Sequence, residues 1–291
     1  MLELIDLDIE SLGYTRFISA WLYKDRQGAF LVDTGPACTV DQLLAGLEKN
    51  GVEHLDWILL THIHLDHAGG IGHVTRHFPE ATIVCHERAV SHLIDPARLW
   101  EGSKKVLGKV AETYGPIEPV PEERIVTREH VEFESGIRVI PTPGHAAHHQ
   151  SFVFEDFLFC GEVFGVFLEL EKDIYLRPAT PPKFVFEEFY DSMERLAPET
   201  DRKICFAHYG MFPDGVRILE TARTQLRMWL EVVRSHAEKP KMNAIIADLK
   251  ANDPVFALID DLPPVIRERE MYYTANTIRG MLGYIDKNAG V

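Results

Sequence analysis

Hydrophobic and polar positions along the first two hundred residues follow two periods in turn. Apolar runs at 17–23, 29–33, 54–61 and 81–85 are of strand length and are bounded by polar or glycine-containing segments. Between them, residues 40–47 and 70–78 space their apolar side chains as a helix does. The first of these stops at Asn50-Gly51, a usual helix C-terminal signal, and 96–114 contains a further helical stretch. From 124 to 164 the pattern is β-rich, with strands at 137–140 and 150–160 around Pro-Gly and Glu-Asp turns. A helix over 186–196 and a strand over 203–207 complete the alternation. Beyond Asp214 the character changes to two amphipathic helices, 216–237 and 272–287, with no strand signal between them. The pattern predicts a mixed α/β core over residues 1–213 and a helical C-terminal appendage over 214–291. No repeat or low-complexity tract interrupts it.

Composition narrows the partners. A chain of 291 residues, 46% of them hydrophobic, is long enough to bury a core without covalent staples. Thirty Lys and Arg stand against 45 Asp and Glu, a formal charge of −15, and no basic run is present. Such a chain repels a phosphate backbone, which argues against a nucleic-acid partner. The acidic start, Met1-Leu2-Glu3-Leu4, is not that of a signal peptide, and no apolar run approaches the roughly 20 residues of a membrane span. Four scattered cysteines, with no C-x-x-C pair, read as reduced thiols. The expectation is a cytoplasmic protein with no membrane partner.

The chemistry concentrates in Thr61-His62-Ile63-His64-Leu65-Asp66-His67, directly after a strand. His62 and His64, two apart in extended chain, point their imidazoles the same way, and Asp66 and His67 follow on a turn. Imidazole with carboxylate suits zinc, iron, manganese or nickel better than magnesium or calcium. Three later strands end in similar groups: His145 after Pro141-Thr142-Pro143-Gly144, Glu162 after Phe159-Cys160-Gly161, and His208 after Phe206-Ala207. One histidine at a strand end is an ordinary feature. Four such groups, each at the loop end of its own strand, mark a site built along one edge of a sandwich.

The ordered series H-x-H-x-D-H, G-H, G-[D/E] and H, preceded by Leu31-Val32-Asp33-Thr34-Gly35, resembles the metallo-β-lactamase-fold hydrolase superfamily over about residues 1–213. The Thr142-Pro143-Gly144-His145 segment is similar to that of its hydroxyacylglutathione hydrolase (glyoxalase II) branch. The resemblance implies an αβ/βα four-layer sandwich with a metal site at one edge. It implies two divalent metal ions, zinc first, with iron or manganese as alternatives. One would be held by His62, His64 and His145, the other by Asp66, His67 and His208, with Glu162 bridging. The family's bridging residue is usually Asp. Glu moves the carboxylate by about one C–C bond, ~1.5 Å, so either the backbone retreats or the bridge becomes lopsided. Asp33 matches the family's strand-end Asp, expected to orient a ligand histidine.

Several neighbours are candidates for substrate binding or support. His148 and His149 follow His145 closely. Tyr209 is a candidate phenol donor to an oxyanion. Arg177, in a proline-rich segment expected to wall the cleft, is a candidate partner for an anionic substrate group. The stripe Leu219, Leu226, Leu230 and Val233, with Trp229 beside it, is a packing face for the chain's own core, a cover for the cleft or a homodimer surface. The implied activity is hydrolysis of a small ester, thioester or lactone, with Asp66 and Glu162 as catalytic carboxylates. The competing reading is a persulfide-type dioxygenase of the same fold, one iron held by His62, His145 and Glu162.

Overall fold

The computed structural model describes residues 1–171 and 173–288; the last three residues of the expected C-terminal region lie outside them. Among the described residues, thirteen strands form two large sheets and a hairpin. The first sheet contains β1 (Leu2–Asp6), β2 (Ser19–Lys24), β3 (Ala29–Val32), β4 (Trp57–Leu59), β5 (Thr82–Val84) and β6 (Ile125–Val126), side by side in that order. Its first three strands are antiparallel and its last four, from β3 onward, run parallel. The second sheet is built from β7 (Arg138–Pro141), β8 (Gln150–Phe154), β9 (Phe157–Gly161), β12 (Lys203–Phe206) and β13 (Gly210–Phe212), in the spatial order β13-β12-β9-β8-β7. A separate hairpin joins β10 (Val166–Glu169) to β11 (Ile174–Arg177).

Strand alternation makes the layers. On β3, Phe30 and Val32 face the second sheet, while Ala29 and Leu31 face helices; on β9, Phe157 and Phe159 face the first sheet and Leu158 and Cys160 face outward. The apolar residues therefore divide into three clusters, one between the sheets and one on each outer face. Helix, sheet, sheet and helix follow one another, which is the four-layer sandwich expected.

The helices are α1 (Val40–Lys49), α2 (Leu65–Ala68), α3 (Ile71–His77), α4 (Val90–Ile94), α5 (Ala97–Leu107), α6 (Lys109–Tyr114), α7 (Arg128–Ser135), α8 (Phe186–Leu196), α9 (Gly215–Ser235), α10 (Met242–Asn252), α11 (Pro254–Ala257) and α12 (Pro264–Asn288). Two differences from the sequence pattern matter. The stretch from 124 to 164 is not β throughout, because α7 interrupts it, closed by Gly136 in a left-handed conformation. Arg177 lies on a strand rather than in the proline-rich loop, which begins one residue later.

The C-terminal helices pack on the outer face of the second sheet. Trp229, 0% exposed, shares one apolar cluster with Leu158, Ile204 and Phe206 of the sheet and with Ile278 and Met281 of α12. Its indole and the Gln225 amide both donate to Asp253. The stripe on α9 is thus taken up within the chain. Among the described residues no helix is long and apolar enough to cross a membrane.

Candidate metal centre

The motif loops leave the ends of β3, β4, β7, β9 and β12 and meet at one edge of the sandwich. After β4 the chain stays extended to His64, then turns into the four residues of α2, which carry Asp66 and His67 on its first turn. Gly161 ends β9 at φ +58°, and a Cβ there would lie 2.3 Å from His149 Nε2, so only glycine lets the strand swing Glu162 into the site. The pairing of β9 with β12 shifts by one residue at Cys205–Phe206, just before His208.

Two groups of side chains converge. The ligand atoms of His62, His64, His145 and Glu162 all lie within 4.8 Å of one another, and so do those of Asp66, His67 and His208. His64 Nδ1 is 3.0 Å from both His62 Nε2 and His145 Nε2. Glu162 Oε2 lies 2.7 Å from His145 Nε2 and 3.3 Å from His62 Nε2. The same oxygen is 3.6 Å from His67 Nε2, and Oε1 is 3.7 Å from His208 Nε2. The glutamate therefore faces both groups but leans toward the first, the lopsided alternative of the two that an extra methylene allows.

Hydrogen bonds outside the cluster fix which nitrogen faces in. His145 Nδ1–H donates to the Ala179 carbonyl at 3.0 Å, and His208 Nδ1–H to that of Phe17 at 2.6 Å. Asp33, itself in a left-handed conformation at φ +59°, accepts from the Thr61 amide, the Thr61 hydroxyl and His67 Nδ1–H. Since the Thr61 hydroxyl proton goes to Asp33, its oxygen accepts from His62 Nδ1–H at 3.1 Å. Each of these four imidazoles therefore turns its Nε2 toward the cluster, as a lone pair when the ring is neutral and as the place a proton or a metal ion takes when it is not. His64 Nδ1, 3.0 Å from two of them, can donate to only one at a time, so at least one of these close pairs sets lone pair against lone pair unless a cation lies between them. His67 Nε2 is buried with no hydrogen-bond partner among the described residues. A tetrahedral ion with bonds near 2.05 Å sets its ligands about 3.3 Å apart, close to the separations seen. The donor set fits divalent transition-metal ions.

The electrostatics agree. Burial and the neighbouring His145 hold His64 down to about 4, and burial with His67 holds His62 well below the usual imidazole range, keeping both neutral as ligation requires. Burial works against the charged form of His67 as well, yet Asp66, Asp33 and Glu162 outweigh it and hold the ring up at about 9. Burial opposes ionisation of Asp66 and Glu162, but the surrounding imidazoles keep both carboxylates well below their usual range. The second group thus gathers negative charge that calls for a cation.

The remaining candidates separate. His149, fully buried, accepts the Glu162 amide N–H on Nε2 and donates from Nδ1 to Thr142, so it holds the backbone that carries the glutamate. His148 lines the cleft next to His64, and burial lowers it to about 3. Tyr209 is corrected: its hydroxyl donates to Asp6 at 2.8 Å on the protein surface, because the residue after a ligand at a strand end faces the opposite way. Arg177 is corrected also. It is 2% exposed, and its Nε donates to Glu270 Oε2 at 2.6 Å, so the side chain is committed to a structural carboxylate that it shares with Arg269. The pattern gave no sign of Thr61 as a relay, although it directly precedes the histidine motif, nor of Phe17, whose ring stacks on His208 at 4.2 Å.

The cluster opens into a cleft of about 490 Å³. Helix α5 forms one wall, the segment from Arg177 to Pro182 another, and Tyr273, Asn276 and Thr277 of α12 a third. The C-terminal helices therefore contribute to the cleft as well as to the core.

Comparison with known proteins fits this construction. The family model for the metallo-beta-lactamase superfamily matches residues 13–208. The metallo-beta-lactamase fold-containing protein ST1585 of Sulfurisphaera tokodaii is 30% identical over 168 residues, 55% of this chain and 62% of that one, so the match spans less than two thirds of the relative. The hydroxyacylglutathione hydrolase of Aeromonas hydrophila is 30% identical over 142 residues, 49% of this chain and 44% of that one. Among solved structures, an archaeal superfamily protein, ST1585 from Sulfolobus tokodaii, superposes with a TM-score of 0.70 at 22% identity, covering 96% of this chain and 97% of that one. That overlap extends the shared fold through the C-terminal helices.

Proposed function

The chain belongs to the metallo-beta-lactamase superfamily, and from that premise we propose that it is a binuclear metal-dependent hydrolase acting on a small ester, thioester or lactone. The supporting observation is the pair of converging ligand groups with Glu162 facing both. Two bound divalent ions, zinc first among the candidates, would supply Lewis acidity and a water made acidic near neutral pH. His62, His64 and His145 would hold one ion, and Asp66, His67 and His208 the other. Asp66, ionised and 3.6 Å from His208, is placed to orient the attacking water and receive its proton. Thr61 and Asp33 keep His62 and His67 in the tautomers that ligation needs, and the cleft positions the carbonyl.

Under the one-iron dioxygenase reading, Asp66, His67 and His208 would have no work, and the unpartnered His67 Nε2 would have no explanation. Metal analysis of protein purified without added metal or chelator separates the two. About two equivalents of zinc, manganese or iron per chain, with ester hydrolysis lost on chelation and restored by metal, is expected. One equivalent of iron with oxygen uptake on a persulfide overturns the proposal.

A further inference from the structure

Helix α5 has a composition that its packing does not explain. Two of its rows face the cleft, Arg98, Gly102 and Val106 on one and Leu99, Ser103 and Leu107 on the other, each repeating every fourth residue. Gly102 sits in the middle of an ordinary helix. A Cβ added there would meet no atom within 4 Å, so neither close approach nor an unusual backbone angle requires glycine. A glycine at such a place weakens a helix with no structural return. What it does provide is room, because a side chain at 102 would project into the cleft. The helix is also amphipathic without a single buried residue, and Val106 is 67% exposed. Leu99, Trp100 and Leu107 pack in part against the cluster under the first sheet, while Val106 and the open position at Gly102 leave the cleft side of the helix uncovered.

The opposite wall matches. Ala179, Pro181 and Pro182 line it, and the prolines have no amide hydrogen to offer. The Thr180 hydroxyl donates to the Thr277 carbonyl and the Thr277 hydroxyl to that of Pro178, so neither seeks a partner in the cleft. Arg177 is tied through Nε to Glu270 and through a second nitrogen to the Pro178 carbonyl, so its side chain is held in the wall and does not reach along the cleft. Arg98 lies at the solvent-exposed mouth; of the other polar groups, His148 stands beside His64 at the cluster end and the Tyr273 hydroxyl is paired with Tyr114, while His92, Ser103 and Asn276 line the cleft farther along.

We propose that α5 is the specificity wall of this enzyme, and that the notch over Gly102 and Ser103 receives an unbranched, uncharged apolar chain. The chain belongs to an ester or thioester whose carbonyl sits at the histidine cluster in the same cleft. The identity of the reacting group rests on the hydrolase reading; the apolar notch rests on α5 itself.

The test uses the metal-loaded full chain with 4-nitrophenyl acetate, butyrate and octanoate. In parallel, calorimetry follows the binding of alkyl methyl ketones of four to ten carbons, which cannot be hydrolysed. The octanoate-to-acetate ratio of kcat/KM is expected to exceed about tenfold in the parent protein, with ketone affinity rising about fourfold per buried methylene. Gly102→Ala is expected to lower the ratio several-fold while raising Tm by about 2 °C, which separates a filled notch from unfolding. Gly102→Phe is expected to lower it at least about tenfold and to flatten the ketone series. A flat ketone series in the parent protein, or parental chain-length dependence in Gly102→Phe, overturns the proposal. Chain-length-dependent ketone binding without turnover of any ester upholds the notch and overturns the hydrolase reading. Equal turnover of all three esters does the reverse.

Discussion

The two sides of the cleft are built on opposite plans. On the metal side most of the functional side chains are held by a hydrogen bond from outside the cluster. His62 is held through Thr61, His67 through Asp33, His145 through the Ala179 carbonyl and His208 through that of Phe17, while His149 fixes the backbone of Glu162. On the α5 side no residue is buried, and one helical position is a glycine that nothing fills. Positional precision is concentrated where charge must be held, and open space where substrates differ. Chemistry and specificity are thereby assigned to separate pieces of chain, and the second can change without disturbing the first.

That contrast can be broken most severely at the metal side. His62→Ala is expected to reduce turnover at least about a thousandfold and to remove about one equivalent of metal, with the far-ultraviolet circular dichroism unchanged. Steady-state kinetics and metal analysis check this together, and parental activity in the variant would show that the first ligand group is not the reacting one. Next in size is the joint between the two sides. Glu270, 0% exposed, accepts from both Arg177 and Arg269, so Glu270→Ala strands two buried guanidiniums. A loss of about 3–5 kcal/mol in denaturant unfolding is expected, and a loss under 1 kcal/mol would mean that water replaces the carboxylate. The smallest of the three lies one bond removed from the ligands. Asp33→Asn retains the shape but weakens the hold on His67, and should lower metal affinity about 10–100-fold in competition with a chelator. Unchanged affinity would leave Asp33 as a tie between β3 and β4 only.

How much of this was legible in the sequence follows from how local each feature is. The histidine motif after β4 is readable because a strand and the turn behind it are set by neighbouring residues, and the spacing of His62 and His64 survives folding intact. The layers are readable for the same reason, since alternation on β3 and β9 decides which side chains face which cluster. The fate of Arg177 was not readable: its partner stands 93 residues away, on a charged stretch of α12 that reads as a solvated face. Tyr209 failed differently, because adjacency to His208 in sequence is not adjacency in direction. Gly102 was invisible as a functional position, since its meaning lies in an absence of contacts that only a folded cleft defines.

The clamp on Phe17 has a consequence for how the protein is made. Arg269 lies over the Phe17 ring at 4.3 Å and donates to the Thr15 carbonyl, across 254 residues of chain. Phe17 in turn stacks on His208, and its carbonyl accepts the hydrogen bond from His208 Nδ1–H. The last long helix therefore closes against the first loop, and only that closure presents the final imidazole at its proper angle. Contacts so distant in sequence form late, after the entropy of a very long loop has been overcome. Under the proposed two-metal reading, the second group would be complete for its ion only after α12 has closed on the first loop, so that ion would have to reach a chain already folded.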